Sequence, residues 1–179
     1  MDFRPPLFIM TGALWLFGAA LLGVAELIAM VQGYALPPGT RLIHVHGAVV
    51  GGILQICFGA VLAHIGPLLN SEHDQAESHP LFYTTLNTGT IMMSVWFATN
   101  NWRIAGVAGL FIFLALLAIM SDWLWQWTPG AISPAIHRFM KAVVVASLLS
   151  GTGLGLAKAL DLVPQTMTIA ARIGHVHLT

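Results

Sequence analysis

Eight histidines stand among only seven acidic and seven basic side chains in a chain of 179 residues. Four of them fall in a pattern that occurs twice, as Arg41-Leu42-Ile43-His44-Val45-His46 and as Arg172-Ile173-Gly174-His175-Val176-His177. Each copy follows a proline-containing turn, Pro37-Pro38 in the first and Leu162-Val163-Pro164 in the second. The two therefore read as one helix-turn-helix hairpin used twice, a duplication inside the chain. Successive side chains on an α-helix turn by about 100°, so histidines at i and i+2 point about 200° apart. One copy does not chelate a single ion from a regular helix; its two imidazoles serve centres on opposite faces. One His from each copy, meeting across a pair of helices, supplies both axial ligands of a b-type haem, whose potential imidazole ligation helps to set. Each Arg lies one turn before the first His, toward the aqueous edge, where a guanidinium pairs bidentately with an ionised propionate. Gly47, Ala48, Gly51 and Gly52 beside the ligands are expected to leave room for a flat macrocycle. The cofactor-binding candidates are thus His44, His46, His175, His177, Arg41 and Arg172, with the four histidines as the metal ligands.

Other ionisable groups carry weaker signals. His64 and His137 are expected at the opposite membrane face, where they suit a second haem or plain interfacial packing. Glu26 falls inside an apolar stretch, and a carboxylate at membrane depth is a functional suspect by default. Glu72, His73, Asp74, Glu77 and His79 form an acidic loop that reads as solvated, with divalent-cation binding as the alternative. Cys57 is alone, so there is no disulfide framework and no CxxC site.

The elements that must position these groups follow from composition. Hydrophobic residues make up 57% of the chain and charged ones 8%, against roughly 25% charged in soluble domains. Mean hydropathy is +0.81. Such a chain cannot clothe a water-facing surface, which excludes soluble enzyme folds, and a formal net charge of zero offers no patch to nucleic acid. A bilayer-spanning helix needs about 20 mostly apolar residues. Five stretches qualify: Leu7 to Val31, Ile43 to Leu69, Leu81 to Thr99, Ile104 to Trp127 and Phe139 to Leu160. Turn chemistry separates them at Gly33 to Gly39, at Asn100-Asn101 and at Pro129-Gly130 with Ser133-Pro134. The loop from Asn70 to Pro80 separates the second and third. Trp96 and Trp102 mark one interface, and Trp123, Trp125 and Trp127 the other. Five crossings place His44, His46, His175 and His177 on the side opposite the N-terminus. His64, His73, His79 and His137 share the N-terminal side. Asn87 is expected to hydrogen-bond between helices, and Gly151, Gly153 and Gly155 to form a close-packing face.

Two segments resemble signatures of the catalytic subunit of haem-copper oxidases, in particular the C-type cytochrome c oxidases and related nitric oxide reductases. Arg41-Leu42-Ile43-His44 is similar to the Arg-x-x-His that opens the family's second helix, whose His ligates the low-spin haem. Gly174-His175-Val176-His177 is similar to the opening of the family's tenth helix, whose first His binds the high-spin haem and whose second binds the low-spin one. The resemblance implies His44 and His177 as the low-spin pair, with His175 directed at another haem or at none. It also implies a periplasmic location for these ligands and a cytoplasmic N-terminus. It is confined to those two segments, and the chain contains no His-His dipeptide of the kind the family's copper centre uses.

The expectation is one integral membrane domain over residues 1–179, all-α, a bundle of five transmembrane helices. Thr179 falls in the first turn of what reads as a sixth, so a truncated six-helix unit is the variant reading. Its function is expected to be haem b binding and electron transfer, as a subunit of a respiratory or similar oxidoreductase complex. The partners are the lipid bilayer, other membrane subunits or an electron-donor protein, and no nucleic acid; the location is the bacterial inner membrane. The rivals are a non-redox structural subunit, a copper-binding membrane protein and a pigment-binding subunit.

Overall fold

The computed structural model describes residues 5–65 and 75–125, together with Arg138, Ala142, Gly153, Gly155, Ala157 and Leu162. Among the described residues all regular structure is helical. Helix α1 spans Pro5–Gln32; α2 spans Thr40–His46 and continues through a π-helical stretch, Gly47–Ile53, into α3, Leu54–Ile65; α4 spans Gln75–Thr99 and α5 Trp102–Trp125.

Local chemistry accounts for the ends. Proline suits the first turn of a helix, where the N–H is unbonded anyway, and α1 opens on Pro5 and Pro6. It closes on Gly33, whose φ of 75° only glycine adopts freely. There the Tyr34 N–H donates to the Ala29 carbonyl at 3.0 Å and the Gly33 N–H to Met30 at 3.3 Å. Helix α4 ends on Asn100, φ 52°, with its N–H donated to the Trp96 carbonyl at 2.7 Å. Asparagine tolerates the left-handed region, so the chain turns straight into α5.

One boundary departs from expectation. Gln75 to Pro80 belong to α4 rather than to the polar loop, so Glu77 and His79 lie on a helix. Gln75, Ala76 and Glu77 are strong helix formers. Pro80, the sixth residue, removes a single ladder bond close to an end that lacks several. Of the fifth predicted span only Ala142, Gly153, Gly155 and Ala157 are described, each of them helical, and both histidines of the second Arg-x-x-His-Val-His copy lie outside the described residues.

Helix α1 packs along the rod formed by α2, the π stretch and α3; α4 pairs with α5, and α2 rests on α4. Two helical segments, Pro6–Gln32 and Thr40–Ala60, are long and apolar enough to cross a membrane, and Ile104–Ala118 is a shorter apolar helix. The faces of α1 are sharply divided. Phe8, Gly12, Trp15, Ala19 and Glu26 share its inner face by helical spacing. Leu14, Phe17, Leu21, Val24, Ile28 and Val31 form an outer stripe, with Leu14 70% and Val31 76% exposed. Contiguous apolar surface of that extent suits lipid contact rather than water. Inside, Phe8, Phe58 and Phe82 form an aromatic knot, with Phe8 edge-on to Phe58 at 5.0 Å between centroids. At Gly12 a Cβ would lie 2.8 Å from the Gly52 carbonyl, so only glycine lets the two backbones come this close.

The π stretch sets how the rod is read by its neighbours. Its last turn is closed by the Leu54 N–H donating to the Val49 carbonyl, an i→i−5 bond. In a straight α-helix Gln55 would lie about 20° from His44 and about 180° from His46. One extra residue in the turn swings both by about 100°, to roughly 80° on either side of Gln55. Gln55 and His46 can then both reach α4 while His44 reaches α1. Deleting Val49 should restore α-helical register. The His44 and Gln55 contacts then cannot both persist, and the protein's thermal unfolding midpoint in detergent should fall.

Candidate functional site

Of the expected ligands, the structure describes the environments of His44 and His46. They face different helices, as a two-residue separation requires. The His44 ring lies against Gly23 of α1, and its Nδ1 is 2.7 Å from the Ala19 carbonyl. A carbonyl only accepts, so Nδ1 must carry the proton, and in the neutral ring the lone pair resides on Nε2. No described residue hydrogen-bonds to that Nε2. His46 donates from Nδ1 to the Leu42 carbonyl at 3.0 Å, one turn back on its own helix, and its ring packs on Phe97 of α4 at 4.8 Å.

Arg41 is exposed at the start of α2, one turn before His44. Glu26 stands three residues beyond Gly23 on α1, the direction of the same helix end. Its Oε1 is buried and has no hydrogen-bond partner among the described residues. An orphaned buried polar atom costs about 1–3 kcal/mol. Glu26→Leu should therefore raise stability by about 1 kcal/mol, read as a higher unfolding midpoint, and a fall would mean that the carboxyl is engaged. His64 lies in α3, one residue from its end. His137, Arg172, His175 and His177 lie outside the described residues, as do Glu72, His73 and Asp74.

The glycines beside His44 do not form the expected opening. Gly47, Gly51 and Gly52 are buried, Trp15 of α1 lies against Gly47 and Gly51, and Leu16 against Gly52. A Cβ on Gly51 would sit 2.5 Å from the Trp15 ring. The space left by the missing side chains is filled by α1, because an indole seated on bare backbone excludes more apolar surface than an open groove does.

A second polar assembly sits deeper. Gln55, fully buried, and Asn87 exchange amide hydrogen bonds, Gln55 Nε2 to Asn87 Oδ1 at 3.0 Å and Asn87 Nδ2 to Gln55 Oε1 at 3.2 Å. Trp15 Nε1 donates to the same Asn87 Oδ1 at 3.1 Å, and the Thr11 and Tyr83 hydroxyls are 2.7 Å apart. Three helices are joined at this point, with Asn87 in the interhelical role expected of it. Gln55 was not anticipated, although an amide in an otherwise apolar span is itself a signal. Gly23 and the Ala19 carbonyl were also missed, because neither residue type carries side-chain chemistry.

Among the described residues no three His, Cys, Asp or Glu side chains come together as a metal-holding group. No protein-family model, curated protein or solved structure matches the chain.

Proposed function

We propose that this chain is an integral membrane subunit that binds haem b and passes electrons within a respiratory or related redox complex. In this reading it is a five-helix bundle of the bacterial inner membrane, with a likeness to haem-copper oxidase catalytic subunits at its two Arg-x-x-His-Val-His segments. The observation that carries the reading is His44. Its Nδ1–H is spent on the Ala19 carbonyl at 2.7 Å, which leaves Nε2 as the nitrogen that would hold iron.

Support for such a group comes from the chemistry of two side chains, while the glycine surface beside them is occupied by Trp15 and Leu16. His44 is partly buried, with its ring against Gly23 and its Nδ1 on the Ala19 carbonyl. Arg41, one turn outward and exposed, is available to hold an anionic carboxylate at the aqueous edge. His177 is proposed as the second imidazole of the pair, with His175 and His46 serving other contacts. When bound, haem would supply a one-electron carrier whose potential the ligating imidazoles would help to tune. The protein's part is to hold the imidazole at a fixed orientation, to anchor the carboxylate edge and to surround the group with hydrocarbon.

The test is the visible spectrum of the purified protein, oxidised and reduced. A Soret band with a sharp α band on reduction is the expected outcome. A colourless protein with stoichiometric copper, a far-red pigment band or no chromophore at all would overturn it.

A further inference from the structure

We infer that Gly23, on a different helix from the ligand, is the residue that determines which nitrogen His44 presents; this positioning role rests on the haem reading above. A helical carbonyl already accepts the N–H four residues on, so Ala19 bonds within α1 and offers an outside donor only its second lone pair. That lone pair is reached past residue 23. A Cβ at Gly23 would lie 2.9 Å from Cε1, 3.3 Å from Nδ1 and 3.6 Å from Nε2 of His44. The first of these separations is closer than real side chains come, and it falls on the ring edge that makes the hydrogen bond. Any side chain there closes the window and pushes the imidazole off the carbonyl.

Backbone conformation does not explain this glycine, because Gly33 is the α1-terminal position with positive φ whereas Gly23 is helical. Glycine is among the poorest residues for a helix interior, so its presence here calls for a local reason. Gly18 supplies the contrast: it lies on the same helix, and a Cβ there would meet nothing within 4 Å. The bond to Ala19 does two things to the ligand. It holds the neutral ring in the Nδ1–H form, and it raises the donor strength of Nε2 toward iron.

The experiment compares wild type, Gly23→Ala and Gly18→Ala in two states. In haem-free protein, ¹⁵N NMR of the His44 imidazole should show the Nδ1–H tautomer in wild type and Gly18→Ala, and lose it in Gly23→Ala. In haem titrations, Gly23→Ala should bind about 10- to 100-fold more weakly, with a more positive midpoint potential, and Gly18→Ala should match wild type. Wild-type His44 in the Nε2–H form would overturn the inference without recourse to any variant. So would a Gly23→Ala protein with unchanged tautomer, affinity and potential. Absence of haem binding by wild type, with the tautomer pattern as stated, would defeat the haem reading while leaving the role of Gly23 in tautomer choice intact.

Discussion

His44→Ala is expected to abolish the bis-imidazole haem spectrum, with affinity for haem reduced more than about 100-fold, the upper range for loss of an outer-shell partner. On the proposed haem reading, this substitution would take away the bond to iron as well as the imidazole that the Ala19 carbonyl orients. His46→Ala makes the sharper comparison, because the two histidines are separated by one residue and share the same hairpin. His46 rests on Phe97 and bonds to Leu42 within α2, so it faces α4 rather than α1. Its loss should leave the His44-dependent spectrum in place, and His73→Ala should do the same. Reduced-minus-oxidised difference spectra of the three variants, at equal protein and haem, decide the matter. Equal loss in His44→Ala and His46→Ala would contradict the assignment of the ligand to the α1-facing side.

The largest expected effect on stability lies at Asn87. Asn87→Leu orphans Nε2 and Oε1 of Gln55, which is fully buried, and removes the acceptor of Trp15 Nε1. Three unsatisfied atoms at about 1–3 kcal/mol each set the upper bound. Measured interhelical hydrogen bonds in membrane proteins average only about 0.6 kcal/mol, because the unfolded helices find other partners in the bilayer. Between these limits Asn87→Leu should destabilise by about 2–4 kcal/mol, measured by reversible unfolding in mixed micelles. The double variant Asn87→Leu with Gln55→Leu should recover at least half of that loss, since both members of the amide pair are then apolar. Strictly additive losses would mean that the two amides are not energetically coupled and that the cluster is not the clamp between α3 and α4.

How far these features can be read from the chain alone depends on the range over which each is encoded. Helix starts and stops are written within a few residues: Pro5-Pro6 at the head of α1, Gly33 at its end and Asn100 between α4 and α5 all act through their own backbone preferences. The 3.6-residue repeat likewise settled that His44 and His46 face apart. It settled the availability of Asn87 as an interhelical partner too, since an amide in an apolar helix must find one. The start of α4 was misplaced because His79 and Pro80 resemble loop residues by type, whereas the helix formers Gln75, Ala76 and Glu77 ahead of them prevail.

Tertiary contacts decided the rest. No local pattern in Gly47–Ile53 announces an extra residue per turn; the π stretch answers to two neighbours at once, Trp15 and Leu16 of α1 on one side and α4 on the other. The same competition fills the glycine surface with an indole instead of leaving it open. The partner of His44 is a main-chain oxygen exposed by a missing side chain 21 positions earlier, and neither end of that hydrogen bond differs in residue type from many others in the chain. Periodicity and turn preference are properties of neighbouring residues, so they survive in one dimension. Register between helices, and the choice of one carbonyl among dozens, are set by which surfaces exclude each other in three.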